Sequence, residues 1–167
     1  TVVNVLLDKS AILAQNPGDK ETIKAYQATY TIKVNETATQ MLPTNGDKKS
    51  LTLTDDLPAE VNLDTDTIHV YQGDSDELLL GVDVSTERIY DSEKEQYHSR
   101  LTVEGIPDAT YARIEYTVTF NLKEGQQETL ENNASLQGEY TIKTSHSQEV
   151  WVVTSDAGAS GEQGTLY

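Results

Sequence analysis

The sequence predicts an all-β protein folded as a two-sheet sandwich, and three observations predict it. Short runs place apolar residues at every second position, as at Ala28, Tyr30, Ile32 and Val34 and at Ile114, Tyr116, Val118, Phe120 and Leu122. Period two is the mark of half-buried strands. Turn-forming clusters separate the runs: Asn16-Pro17-Gly18-Asp19, Thr44-Asn45-Gly46-Asp47, Gln72-Gly73-Asp74-Ser75-Asp76 and Lys123-Glu124-Gly125-Gln126. These residues supply the backbone conformations that reverse a chain. Finally, strand and turn alternate over 167 residues, enough for one domain with a sizeable core and short for two. One chain of repeated strands and turns reads as a sandwich.

Taken in order, the first strand carries Val3, Val5, Leu7, Lys9 and Ala11 on one parity, with Asn4, Asp8 and Ser10 on the other. Pro17–Gln27 is the only stretch with a weak helical pattern. The Ala28–Val34 strand follows, then a strand with Leu51, Leu53, Asp55 and Leu57 on one face, the Ile114–Leu122 strand, and a late strand with Leu130, Asn132, Ala134 and Leu136 on one face. From Ser155 the composition turns small and polar through Gly164, as in a flexible linker. The expected organisation is a sandwich domain over 1–154, then a linker and the start of a following strand or domain over 155–167.

Composition narrows the function. A formal net charge of -16 repels nucleic acid and anionic membrane surfaces, so neither is an expected partner. No cysteine is present, which removes disulfides, thiol nucleophiles and cysteine metal sites. No stretch approaches the roughly 18 apolar residues of a membrane-spanning helix, and no signal peptide opens the sequence. The chain reads as a mature fragment of something longer.

Alternate side chains of a strand face opposite ways, so Lys9, Asp55 and Asn132 should all point into the core with their apolar neighbours. An amine, a carboxyl and a carboxamide buried together suggest covalent self-cross-linking. A buried Lys9–Asp55 ion pair with Asn132 as its hydrogen-bonding neighbour, or a lysine whose ammonium reaches back to water, fits the same parity. Asp56 and Asn133 are the adjacent alternatives, and their parity faces solvent.

The strings Leu7-Asp8-Lys9-Ser10-Ala11, Tyr30-Thr31-Ile32-Lys33-Val34, Asp55-Asp56-Leu57-Pro58 and Asn132-Asn133-Ala134 occur in this order. Together they resemble the CnaA-like (DEv-IgG) modules of Gram-positive surface adhesins and pilins. The resemblance covers nearly the whole chain and implies an immunoglobulin-like sandwich on the bacterial cell surface, anchored to the cell wall through its parent protein. It further implies an isopeptide bond between Lys9 and Asn132, assisted by Asp55, in a structural stalk or adhesin module with neighbouring domains of the same polypeptide as partners. The alternative is an adhesin domain that binds a host extracellular protein or glycan. Neither reading calls for a cofactor or a metal, and neither is an enzyme beyond one self-reaction. Leu42-Pro43-Thr44-Asn45-Gly46 approximates a sortase signal, but Asn45 stands where threonine is needed, and no clear polymerisation-lysine motif marks a pilus shaft. The ending from Ser155 to Tyr167 looks like a connector into a following CnaB-type domain.

The implied chemistry requires Lys9 as a neutral amine, whereas an exposed lysine near pKa 10.4 is protonated at neutral pH. Burial lowers a lysine pKa and raises an aspartate pKa. Asp55 is then expected to stay protonated, hydrogen-bond the Asn132 carbonyl oxygen, polarise it and shuttle a proton to departing ammonia.

Other residues carry weaker signals. Asp64, Asp66, Asp74, Asp76 and Glu77 offer hard oxygens of the kind calcium prefers, but without EF-hand spacing they read as solvated loop acids. His69, His98 and His146 lack zinc spacing and are expected at surfaces or edges. No nucleophile elbow or Ser-His-Asp arrangement is recognisable. Tyr30 and Tyr116 lie on core parity and read as packing residues, and Trp151 reads as sheet packing.

Overall fold

The computed structural model describes residues 6–15, 23–123, 127–138, 141–152 and 162–166. Their strands are β1 (Leu7–Gln15), β2 (Ile23–Val34), β3 (Ser50–Asp56), β4 (Asn62–Gln72), β5 (Asp83–Asp91), β6 (Gln96–Pro107), β7 (Ala112–Lys123), β8 (Gln127–Gln137), β9 (Thr141–Val152) and β10 (Glu162–Leu166). They form an immunoglobulin-like sandwich of two antiparallel sheets, one ordered β1-β2-β7-β4 and the other β10-β9-β8-β3-β6-β5. No helix occurs among the described residues. Of the stretch with a weak helical pattern, Ile23–Gln27 opens β2, where backbone pairing to β7 decides the conformation; residues 16–22 lie outside the described residues, as do 124–126 and most of the expected linker.

Alternation builds the core. Along β3, Leu51, Leu53 and Asp55 are buried and the residues between them are half-buried. β7 turns Ala112, Ile114, Tyr116, Val118 and Phe120 inward, and β2 does the same with Tyr26, Ala28, Tyr30, Ile32 and Val34. Because β2 and β7 pair with Tyr30 opposite Tyr116 and Tyr26 opposite Phe120, the rings stack in two pairs, each with centroids 5.4 Å apart. Such cross-strand pairs are the unit of sheet stability.

One glycine is demanded by geometry. Between Leu51 and Leu53 the β3–β6 register shifts, Leu51 facing Ile106 and Leu53 facing Val103. β6 absorbs the extra residue with Gly105 at φ +84°, where a Cβ would lie 3.0 Å from the Gly81 carbonyl oxygen. Left-handed backbone with no room for a side chain selects glycine at a bulge.

The chain crosses repeatedly between the sheets: β1 and β2 lie in the smaller one, β3 in the larger, β4 in the smaller, β5 and β6 in the larger, β7 in the smaller and β8–β10 in the larger. Residues remote in sequence therefore face one another across the core.

Candidate functional site

Lys9, Asp55 and Asn132 meet in the middle of the sandwich. Lys9 enters from β1, flanked by Leu7 and Ala11, all three buried. Asp55 enters from the opposite sheet, where β3 is a central strand paired on both sides: Asp55 faces Leu101 of β6 and Ala134 of β8. Asn132 is two residues along β8 from Ala134, on the same face, and so becomes the diagonal neighbour of Asp55. The side chains of Lys9 and Asp55 are 0% exposed, and Asn132 is fully buried. The inward parity read from the sequence thus holds for all three, and the ammonium does not reach back to water. Asp56 and Asn133 point the other way. Asp56 accepts from Arg100 Nε at 2.7 Å and lies 3.2 Å from His98 Nε2, while Asn133 is exposed.

The Lys9 Nζ donates to two oxygens at equal distance, 2.5 Å to Asp55 Oδ1 and 2.5 Å to Asn132 Oδ1. With a carbonyl bond of about 1.23 Å, the Asn132 Cγ lies no farther than roughly 3.7 Å from the amine. A reacting pair held near such a distance is close to a near-attack geometry. Asp55 is bound to Lys9 and, through Oδ2, to the hydroxyl of Tyr116, which donates to it in a short hydrogen bond. The expected hydrogen bond from Asp55 to the Asn132 carbonyl is replaced by a bridge. Asn132 Nδ2 donates to the Tyr116 hydroxyl at 2.6 Å, and Lys9 Nζ lies 3.3 Å from that hydroxyl.

Tyr116 is the participant that sequence reasoning missed. Parity placed it inward as a packing residue, but a buried phenol must also find hydrogen-bond partners, and the inward polar groups available were already named. Tyr30, between Tyr116 and Lys9 in the sheet order, completes the aromatic wall. The Nζ stands 5.1 Å from the Tyr30 ring centroid and 5.7 Å from that of Tyr116.

Burial sets the electrostatics. Desolvation pushes the Lys9 ammonium down from 10.5 to about 8, against the attraction of Asp55, which raises it. Desolvation likewise raises the Asp55 carboxyl, against the lowering effects of Lys9 and of Tyr116. It pushes the Tyr30 hydroxyl up to about 12 and that of Tyr116 well above its usual value, in both against a lowering hydrogen bond with Asn132. Both members of the Lys9–Asp55 pair are moved toward their neutral forms, an amine with a free electron pair and a carboxyl with a proton to give. That combination can add nitrogen to an amide carbon and protonate a leaving amine.

A linkage prediction follows for the Asn132→Ala variant, which keeps Lys9 as a free amine. With the lysine near 8 when folded and 10.5 when unfolded, the unfolded chain holds more protons between those values, so stability rises with pH there. From pH 8 to 10 the lysine contributes a gain of about 2 kcal/mol; toward the top of that window the raised tyrosines already offset part of it, because the unfolded chain begins to lose phenol protons near 10.0 that the folded chain keeps. In urea titrations the change from pH 8 to pH 10 should be about 2 kcal/mol more favourable for Asn132→Ala than for a Lys9→Met/Asn132→Ala double variant, in which the tyrosines contribute equally. Equal slopes in the two would mean that Lys9 burial is not what shifts the pKa.

The weaker candidates stay dispersed. No group of three or more potential metal ligands assembles among the described residues. Asp64 caps the backbone N–H of Asp66, Asp74 accepts from the Tyr111 hydroxyl at 2.7 Å, and Asp76 lies 3.6 Å from Arg113. His69 is exposed and stacks on Tyr71, and His98 is half-buried beside Asp56. The side chains of His146 and Trp151 lie outside the described residues. Tyr90 and Tyr97 face each other on β5 and β6, exposed, with ring centroids 4.9 Å apart.

No protein-family model matches the chain, and no curated protein matches it. Among solved structures it aligns with the collagen-binding domain from a Staphylococcus aureus adhesin at 14% identity and TM-score 0.47, over 92% of this chain and 100% of that one. It aligns with ACE19, the collagen-binding subdomain of the Enterococcus faecalis surface protein ACE, at 10% identity and TM-score 0.43, over 87% and 96%. A third alignment is with the Streptococcus suis adhesion Fhb, at 11% identity and TM-score 0.39, over 98% and 96%. In each the likeness is one of overall fold.

Proposed function

We propose that this chain is a structural module of an extracellular, cell-wall-anchored surface protein of the adhesin type from a Gram-positive bacterium, and that it joins Lys9 to Asn132 by an autocatalytic isopeptide bond. One observation carries the reading: a desolvated lysine amine sits 2.5 Å from the side-chain oxygen of Asn132 inside a sealed core, with Asp55 bound to the same nitrogen. The ordered sequence motifs around these three residues support it independently. A buried ion pair alone accounts for the Lys9–Asp55 contact and leaves unexplained why the amide carbonyl is equally close.

The reaction balances without a cofactor. Nζ of the neutral amine forms a bond to Cγ of Asn132 and gives up one proton, the Cγ–Nδ2 bond breaks, and Nδ2 leaves as ammonia with one proton gained, Asp55 carrying the balance between them. Folding supplies the effective concentration, and the exclusion of water leaves the carbonyl no competing nucleophile. Each molecule reacts once, so this is not enzyme turnover. As a module of a longer protein, the chain would have its neighbouring domains as first partners and a host extracellular protein as the contact of the whole.

Intact mass tests it. The folded chain should weigh less than its sequence by one ammonia, and Lys9→Ala, Asn132→Ala and Asp55→Ala should each restore the sequence mass. An uncorrected mass in the wild-type chain sinks the reading.

A further inference from the structure

We propose that the Tyr116 hydroxyl is a catalytic residue of this reaction, relaying a proton from Asp55 to the amide nitrogen that leaves Asn132. The inference rests on the Lys9–Asn132 cross-link and adds the route by which the leaving group is protonated. It starts from an asymmetry in the contacts. Asp55 binds the nucleophile directly through Oδ1, whereas the leaving nitrogen donates at 2.6 Å to Tyr116; Asn132 also hydrogen-bonds the Tyr30 hydroxyl, but Tyr116 is the phenol bonded to the carboxyl as well. The same Tyr116 hydroxyl is bound to the other carboxyl oxygen, Oδ2. The four groups form a continuous path from Nζ through Oδ1, Oδ2 and the phenol oxygen to Nδ2.

That path can move protons in one direction without accumulating charge. The phenol donates to Oδ2 when Asp55 is a carboxylate; once Asp55 is protonated on Oδ2 that hydrogen bond reverses, its O–H donating to the phenol oxygen and the phenol proton turning toward Nδ2, a role open to a protonated carboxyl and closed to a carboxylate. As Nζ adds to Cγ, the carbon becomes tetrahedral and the electron pair of Nδ2, delocalised in the amide, becomes an acceptor. Three transfers then coincide in sense: Nζ gives its proton to Oδ1, Oδ2 gives its proton to the phenol oxygen, and the phenol gives its own to Nδ2. Asp55 ends protonated on its other oxygen, Tyr116 ends unchanged, and ammonia departs from a neutral centre. The relay never requires a phenolate, which suits a hydroxyl that burial holds firmly protonated. It also explains why both carboxyl oxygens are engaged, one by the amine and one by the phenol.

The test follows bond formation by intact mass in chain synthesised cell-free, with aliquots quenched in denaturant. Tyr116→Phe keeps the ring stacked on Tyr30 and deletes the relay. It should fold, as circular dichroism will show, and cross-link at least about tenfold more slowly, positioned proton transfer being worth roughly 10²–10⁴ in rate. Tyr26→Phe removes a buried hydroxyl about 13 Å along the same sheet and should react at the wild-type rate. Should Tyr116→Phe fail to fold, ortho-fluorotyrosine in place of Tyr116 retains the hydroxyl and makes it more acidic. Its rate should then differ from wild type by more than about twofold, since proton-transfer rates follow the acidity of the donor. A folded Tyr116→Phe that reacts as fast as wild type, or a fluorinated chain with an unaltered rate, overturns the relay while the cross-link stands. A wild-type chain of full sequence mass overturns the cross-link itself.

Discussion

Lys9→Ala and Asn132→Ala are each expected to melt at least about 10 °C below the wild-type chain while keeping the circular dichroism of a β protein. The reason is the span of the bridge. Lys9 and Asn132 are 123 positions apart, and a cross-link closing a loop of that length removes chain entropy from the unfolded state worth roughly 5 kcal/mol, by the relation established for disulfides. In a domain of this size each kcal/mol moves the melting temperature by about 2–4 °C, which gives about 10–20 °C for the bond. Two variants are needed because each removes local contacts as well. Lys9→Ala leaves Asp55 with Tyr116 as its hydrogen-bonding neighbour, and Asn132→Ala leaves the Lys9–Asp55 pair intact. What the two share is the missing amide, so a common drop measures the bond. If either variant, shown by mass to lack the bond, melts with the wild type, the cross-link does not stabilise the fold.

How far the sequence discloses this site depends on which kind of order is asked of it. Parity is local, and it placed Lys9, Asp55 and Asn132 inward because each sits among apolar residues at spacing two, as Leu7 and Ala11 flank Lys9. Parity could not say that the three converge, since that follows from β3 and β8 pairing in one sheet while β1 lies across the core. Here the ordered motifs supplied what periodicity lacks. Tyr116 shows the remaining gap. Several tyrosines share its inward parity, and only the order β1-β2-β7, with Tyr30 opposite Tyr116, decides which phenol reaches the carboxyl. Edges of the sheet were the least legible. β5 is exposed along most of its length and so lacks alternation to read. Glu162, Gln163 and Gly164, composed like a linker, pair with Val152, Trp151 and Val150 through backbone groups that composition does not report.

Under tension the wild-type chain is expected to lengthen only outside the bridge, whereas Lys9→Ala unfolds with an added extension of roughly 400–440 Å. Force entering at the amino terminus reaches Lys9 on β1 and meets a choice of paths. One follows the backbone through 123 positions; the other crosses the core through a single amide to Asn132 on β8. A covalent bond does not yield at loads that separate strands, so the short path bears the force and the residues between stay folded. Without the amide, those positions are held by hydrogen bonds and apolar packing alone, and each can extend by about 3.3–3.6 Å once the sheets part. Asp55→Ala should behave like Lys9→Ala, because it keeps both partners of the bond and removes the group that helps form it. Single-molecule pulling distinguishes the cases directly. Equal contour-length gains for wild type and Lys9→Ala would show that load does not pass through the Lys9–Asn132 link, and a role in bearing tension would then have no support from this core.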